Sequence, residues 1–269
     1  MRSYKQYLVY TSKRYPSTAS NKSYPIDKKS KQFIDKQIKV LLSKGVIEPA
    51  VHEFGEFIST IFVTEKPDRG FRLILNLKRL NLNVKKKKFK MQTLKSILCL
   101  VRRNMFMASL DIKDAYYSIP IHENSKKLLK FEHDNQLYMF KALPNGYTEG
   151  PRKFTKVMKP PLAKLRKEKV ISADYIDDII TMSNDKRSCL SNVVKIVDLL
   201  DSLGFIIHPE KSEFEPKQVL EFLGFILDTI DMTVTLTKQK KTKTINLCNK
   251  LLQREHISIR MLARLLGKS

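Results

Sequence analysis

The sequence predicts an α+β domain with an antiparallel sheet carrying helices on one face, and three observations lead there. Apolar residues recur at helical spacing in some segments and alternate with period two in others. These segments follow one another without a regular βαβ repeat, which disfavours a parallel, doubly wound sheet. With 269 residues and 42% hydrophobic content, the chain can bury a substantial core as one large domain or as two or three subdomains.

Residues 1–30 are rich in Lys, Ser and Tyr with little periodicity, and read as a basic lead-in. From Lys31, the residues Phe33, Ile34, Ile38, Leu41 and Leu42 mark a helix that Gly45 stops. The β-rich runs 56–64 and 71–77 flank Lys66-Pro67-Asp68-Arg69-Gly70, whose Pro-Asp and Gly are turn residues, so a hairpin with a basic tip is expected. Met91, Leu94, Ile97, Leu98 and Val101 predict a helix over 91–103, leading into an apolar strand that ends at Asp111. A second hairpin is expected at roughly 127–142, turning at Asp134-Asn135. Pro151 can open a helix, and Pro160-Pro161 should kink or break it. Val170 to Met182 alternates like a paired strand around Tyr175-Ile176-Asp177-Asp178. A helix from Leu190 to Leu203 closes at Gly204, short strands follow at 205–208 and 219–227, and the chain after Thr237 is Lys-rich and helical. Ser258 opens a last short helix, and its abrupt end suggests a fragment.

Lys and Arg number 51 against 27 Asp and Glu, a formal net charge of +24 spread over every segment. Such an excess repels itself unless an anionic partner relieves it, and nucleic acid is the first candidate. A membrane surface would require one amphipathic helix with a basic face, and no segment is distinctive in that way. No apolar run approaches membrane-spanning length and no signal peptide is visible. Cys99, Cys189 and Cys248 are far apart and odd in number, which argues against a disulfide framework or zinc site and fits an intracellular setting. The five histidines are scattered, and none is assigned to a metal.

Two adjacent aspartates within an apolar strand hairpin are costly, because desolvation and mutual repulsion both disfavour ionisation. A hard divalent cation is the usual remedy; a hairpin tip that simply faces water is the plain alternative. Asp111 shifts the balance, since a buried strand would deliver it to the same sheet edge. Three carboxylates around two metals make a phosphoryl-transfer site.

Ser109-Leu110-Asp111-Ile112-Lys113-Asp114-Ala115-Tyr116-Tyr117-Ser118-Ile119-Pro120, followed by the Tyr-x-Asp-Asp box, resembles a retroelement reverse transcriptase from about Ile38 to the C-terminus. Phe89-Lys90-Met91, Pro151 to Lys156 and Ala263 to Lys268 are most similar to the DIRS branch, with gypsy-type elements next. The resemblance implies a right-hand polymerase fold: fingers about 31–90 and 122–148, palm about 91–121 and 149–231, and a truncated start of a helical thumb at 232–269. It implies that Asp111, Asp177 and Asp178 hold two Mg²⁺ ions, or Mn²⁺, with the Ile112 carbonyl as a further ligand. Lys113, Asp114 and Ala115 would line the triphosphate of a dNTP through backbone N–H groups, and Tyr116 would exclude a 2′-hydroxyl; an ordinary buried aromatic is the alternative for Tyr116. Arg72 matches an arginine that grips the triphosphate, with Lys66 a second grip or a solvated charge. Lys211 resembles a lysine that protonates the pyrophosphate leaving group.

Phe222-Leu223-Gly224 resembles the primer grip, which is compatible with its also being a core strand. The runs Lys85 to Lys88 and Lys238 to Lys243 are either solvated surface or tracks for a template or duplex backbone. The sequence departs from the family at Asn145, which shortens a template and nucleotide contact residue, at Asn76, and at Thr148-Glu149-Gly150. The implied activity is RNA-directed DNA synthesis on a primed RNA or DNA template. The alternatives are an inactive nucleic-acid-binding remnant and an RNA-dependent RNA polymerase, which Tyr116 disfavours.

Overall fold

The computed structural model describes residues 27–65, 71–254 and 256–266; residues 1–26 of the basic lead-in and the Lys66 tip lie outside them. Helix α1 (Lys28–Ser43) begins where Asp27 accepts the Ser30 N–H at 2.9 Å, buries Ile34, Ile38 and Leu41, and ends near Gly45, whose φ of +65° reverses the chain. Strands β1 (Ile47–Pro49), β2 (Ile58–Ser59), β3 (Ile61–Glu65) and β4 (Phe71–Leu75) follow. The expected hairpin is present as β3 and β4, with Ile61 opposite Leu75. The 56–64 run divides because its first part pairs with a different strand. A short α2 (Lys78–Leu82) comes next.

The helix expected over 91–103 is only α3 (Leu94–Leu98). A reciprocal Thr93–Ser96 capping box fixes its start. After Leu98, Leu100 and Val101 donate to carbonyls three residues back, and the Arg102 guanidinium takes the Cys99 and Val101 carbonyls. The long strand β5 (Phe106–Lys113) runs two residues past its expected end, into a 3₁₀ turn at Ala115–Ser118 and then α4 (Glu123–Lys126). Strands β6 (Lys130–His133) and β7 (Gln136–Phe140) form the second hairpin; φ is +48° at Asp134 and +60° at Asn135, the tight turn that those residue types permit.

Helix α5 (Gly150–Lys167) is continuous through Pro160 and Pro161, so the predicted break does not occur. Each proline removes one N–H donor from the ladder, while burial of Phe154, Met158, Leu162 and Leu165 rewards continuation on both sides. β8 (Ile171–Tyr175), β9 (Asp178–Ser183) and α6 (Lys186–Ser202) follow, closed by Gly204 at φ +82°. The remaining elements are β10 (Ile206–Ile207), β11 (Glu213–Lys217), β12 (Val219–Phe222), β13 (Phe225–Asp228), β14 (Thr233–Leu236), α7 (Lys238–Leu252) and α8 (Ile259–Leu266). The Ser258 hydroxyl accepts the Met261 N–H at 3.3 Å and caps the last helix as expected.

The chain divides into two compact units. One comprises Met1–Met91, Ile112–Ala163 and Leu200–Ile206, and holds a four-stranded sheet of order β1-β7-β6-β2. Its fully buried Lys130 is held by Glu53 and Glu56, each at 2.8 Å, and by the Val51 carbonyl at 2.7 Å, so its charge is compensated. The other comprises Gln92–Asp111, Lys164–Leu199 and Ile207–Ser269. Its sheet runs β10-β5-β9-β8, with β11 also pairing β5, and the β12-β13-β14 meander stands as a separate sheet. Met107, Ile180 and Met182 pack with Ile97, Leu220 and Phe222 in its core. Consecutive burial from Ile179 to Met182 marks β9 as covered on both faces, which sets it rigidly beneath the Asp177-Asp178 turn. Among the described residues, no helix is long and apolar enough to cross a membrane.

Candidate active site

The Tyr-x-Asp-Asp box is the head of the β8–β9 hairpin. Tyr175 pairs with Asp178, which leaves Ile176 and Asp177 as the two turn residues. Ile176 has φ +58°, a conformation that costs a β-branched residue about 1–2 kcal/mol and is tolerated where the surroundings dictate it. On the other side of β9, Asp111 of β5 stands directly opposite Asp178 in the antiparallel register. Cross-strand partners have Cβ atoms about 5 Å apart, so two chain-distant carboxylates emerge side by side.

The backbone of Asp111 is held on its second edge too. Its N–H donates to the Ser212 hydroxyl at 3.0 Å, its carbonyl accepts the His208 N–H at 2.8 Å, and the Ser212 hydroxyl donates to the His208 carbonyl at 2.7 Å. These ties bring the His208–Ser212 segment, and with it Lys211, alongside the aspartates. A cleft of about 340 Å³ is lined by Asp111, Asp178, Lys211, Phe222, Leu223 and Gly224 among others. The last three belong to the β12–β13 turn, where φ is +53° at Leu223 and +77° at Gly224. The Thr237 N–H donates to the Gly224 carbonyl at 3.3 Å, and the Lys240 ammonium lies 3.6 Å from the centre of the Phe225 ring, so α7 clamps this turn. Catalytic and primer-grip candidates named from sequence thus share one cleft; Asp177 sits in the turn at its edge and does not line it.

Electrostatics match the crowding. Burial pushes the Asp178 carboxyl up to about 6, with Asp177 and Asp111 adding repulsion and Lys211 opposing it. Burial likewise raises Asp177, with Asp111 adding and Lys211 opposing. Hard carboxylate oxygens that resist ionisation beside one another are a donor set suited to a hard divalent cation. Among the described residues, only Asp35, His133 and Asp134 bring one ligand atom each within 4.8 Å of one another, so Asp111, Asp177 and Asp178 do not form so tight a group. The Asp35 group is already satisfied by ion pairs, His133 to Asp35 at 2.6 Å and Lys31 to Asp134 at 3.0 Å.

The nucleotide-contact candidates fall in the other unit, apart from Lys66, which lies outside the described residues. Ile112 is buried in β5 and Lys113 is exposed at its end. Asp114 turns the chain at φ +52°, pairs with Lys44 at 2.6 Å, and leads into the 3₁₀ turn that begins at the buried Ala115. The Tyr116 ring meets Phe154 edge-on at 5.7 Å, and a Cβ added at Gly150 would lie 3.3 Å from its Cε1. Gly150 therefore admits the ring, a role hidden in sequence by its place before Pro151. The Asn145 side chain is hydrogen-bonded to the Tyr117 phenol. Arg72 lies in β4 opposite Thr64.

Ser212 and His208 flank Lys211 in the stretch that carries its resemblance, but sequence gives them no role of their own, because their partner is a backbone about a hundred residues away. In sequence Glu149 stands out only as part of the departure at Thr148-Glu149-Gly150. It is buried, accepts the Lys87 N–H at 3.0 Å and pairs with Arg152.

Comparison with known proteins bears on the fold and the family. The Pro-Pol polyprotein of Simian foamy virus type 1 is 28% identical over 224 residues, covering 83% of this chain and 19% of that protein. The Pol polyprotein from transposon gypsy of Drosophila melanogaster is 24% identical over 214 residues, covering 77% and 20%. The chain thus spans about a fifth of the length of these relatives. A foamy viral protease-reverse transcriptase solved in complex with double-stranded DNA superposes with a TM-score of 0.81 at 23% identity, over 99% of this chain and 44% of that one. The same enzyme with an RNA/DNA hybrid gives 0.76 at 23% identity, over 97% and 33%. These likenesses show a reverse transcriptase polymerase fold. Residues 64–227 match the family described as reverse transcriptase (RNA-dependent DNA polymerase), and the chain belongs to that family.

Proposed function

We propose that this chain is the polymerase portion of a retroelement reverse transcriptase, of the DIRS-like branch, extending a primer 3′-hydroxyl with dNTPs on an RNA or DNA template. The observation that carries the reading is the placement of Asp111 opposite Asp178, with Lys211 and the Phe222–Gly224 turn around the same cleft. In this reading residues 31–231 supply fingers and palm, and 232–269 begin a thumb.

Asp111, Asp177 and Asp178, with the Ile112 carbonyl, would hold two Mg²⁺ or Mn²⁺ ions. Such ions, when bound, lower the pKa of the attacking hydroxyl and stabilise the leaving oxygens. The chain's own work is positioning. The Ser212 and His208 ties hold Asp111 in place, and the α7-clamped turn sets the primer end. Lys211 delivers a proton to the departing pyrophosphate. Arg72 and Lys66 grip the triphosphate, backbone groups of Lys113, Asp114 and Ala115 line it, and Asn145 contacts template and nucleotide. Tyr116, held against Phe154 and admitted by Gly150, closes the space that a 2′-hydroxyl would need.

Primer extension on an RNA template with Mg²⁺, comparing deoxy- and ribonucleotides beside an Asp177→Asn control, tests the reading. The wild-type chain should extend with deoxynucleotides and the control should not. A folded wild-type chain that binds primer-template without extending it is an inactive remnant, and the proposal fails. Tyr116→Ala should incorporate ribonucleotides more readily; an active variant with unchanged sugar preference would remove Tyr116 from its assigned place.

A further inference from the structure

The 3₁₀ turn that carries Tyr116 also carries Tyr117, which the proposed reaction leaves unused. In the same unit, the loop from Leu143 to Thr148 buries Leu143, Pro144 and Tyr147 and exposes Asn145 and Gly146 at its tip. The backbone of this tip is fixed from two sides. The Leu143 N–H donates to the Ile119 carbonyl at 2.9 Å. The Asn81 side chain bridges the loop, donating to the Gly146 carbonyl at 2.9 Å and accepting the Thr148 N–H at 2.9 Å. These ties leave the Asn145 side chain its own torsions, and its amide is one methylene shorter than that of glutamine.

The Tyr117 phenol, hydrogen-bonded to the Asn145 side chain, takes up that freedom. It is itself anchored: the Tyr117 N–H donates to the Asp114 carbonyl at 2.8 Å, and the Asp114 carboxylate is tied to Lys44 at 2.6 Å. Burial pushes the phenol above its usual range, the Asp114 charge adds to this and the Asn145 hydrogen bond opposes it, so the hydroxyl keeps its proton at neutral pH.

We propose that Tyr117 is a positioning residue for nucleotide selection, whose hydroxyl holds the short Asn145 amide at the loop tip in one orientation toward the incoming dNTP. This rests on the polymerase reading for the identity of the ligand. An amide already immobilised loses less freedom when the nucleotide arrives, so the pairing favours binding before any chemistry begins. It also gives the shortened residue at 145 a structural counterpart, since the phenol supplies the support that a shorter side chain needs to keep its amide in place.

The test measures dNTP affinity without chemistry, on the full chain bound with Mg²⁺ to an RNA template and a dideoxy-terminated DNA primer, by the slowing of primer-template release as dNTP is added. Tyr117→Phe keeps the ring and removes only the hydroxyl. It should weaken dNTP affinity about fivefold, the worth of one hydrogen bond, and raise KM alike in steady-state extension while kcat changes by less than about twofold. Asn145→Ala should weaken affinity at least as much, and adding Tyr117→Phe to it should cost nothing further, since the phenol acts through the amide. Unchanged affinity in Tyr117→Phe, or an equal further loss in the Asn145→Ala background, overturns the positioning role. Should Tyr117→Phe fail to fold, the Tyr117 ring resonance must differ by NMR between wild type and Asn145→Ala at neutral pH, and an unmoved resonance overturns the pairing. Extension of an ordinary primer is read separately. Extension with uncoupled residues removes this inference alone, coupled loss of affinity without extension by the wild type removes the polymerase reading alone, and a wild type that binds no dNTP removes both.

Discussion

In one unit, aspartates crowd the head of a hairpin and burial drives Asp178 up to about 6; in the other, lysines and an arginine crowd a helix start and burial drives Lys153 down. Both sites gather like charges away from water at the expense of the fold. They differ in how the charges are held. The acidic cleft rests on strand register, with Asp111 and Asp178 fixed by paired backbones. The basic cluster rests on one side chain, Glu149, and its pattern could be dismantled by a single substitution.

The strongest way to break the comparison is Asp178→Asn. Primer extension should fall by on the order of 10³-fold or more, while the metal-free chain gains roughly 1–2 kcal/mol at pH 7 in urea unfolding. An active variant, or one without added stability, would mean the carboxylate is neither ligand nor burden.

The titration of Asp178 gives the next effect. Its folded value of about 6 lies above the usual 3.8, so the folded chain binds the proton more tightly than the unfolded chain. Folding is then penalised above pH 6, and the penalty is relieved as pH falls from 7 toward 4. Metal-free wild type should melt a few degrees higher at pH 5 than Asp178→Asn would lead one to expect from its own change between pH 7 and 5. Identical pH responses in the two proteins would refute the shift.

The mirror experiment in the basic cluster is Lys153→Met, which should raise stability by about 0.5–1 kcal/mol. A destabilised variant would show that Lys153 is held by compensation and not by strain. Smallest is Gly150→Ala: the new Cβ, 3.3 Å from the Tyr116 ring, should shift ribonucleotide discrimination by a few-fold, read as a ratio of incorporation rates. An unchanged ratio with a folded protein would place the ring outside sugar selection.

Much of the acidic cleft was legible in sequence because alternation reports strands, and strands report which residues can meet. Val170 to Met182 carried that alternation and Met105 to Leu110 a short apolar run before Asp111, and the two pair as strands. β11 was not legible, since Glu-Phe-Glu-Pro-Lys has charges and a proline and pairs with β5 only through an irregular register. β14 was missed because its Val234 faces solvent and gives no buried face to read. The unbroken course of α5 depended on burial along its length outweighing two prolines, which local propensity cannot weigh. The Glu149 clasp was illegible for another reason: its partner is a backbone N–H, which every lysine in the run offers alike.

The opposition of Asp111 and Asp178 also constrains how this chain can change in length. Side chains alternate along a strand, so one residue inserted between Phe106 and Leu110 would turn Asp111 to the reverse face of β5. Two inserted residues would restore the face but carry the carboxylate about 6.6 Å along the strand, past its partner. Substitutions can accumulate through this stretch, but insertions and deletions cannot, so its residue count is a more durable signature of the element than its residue identities.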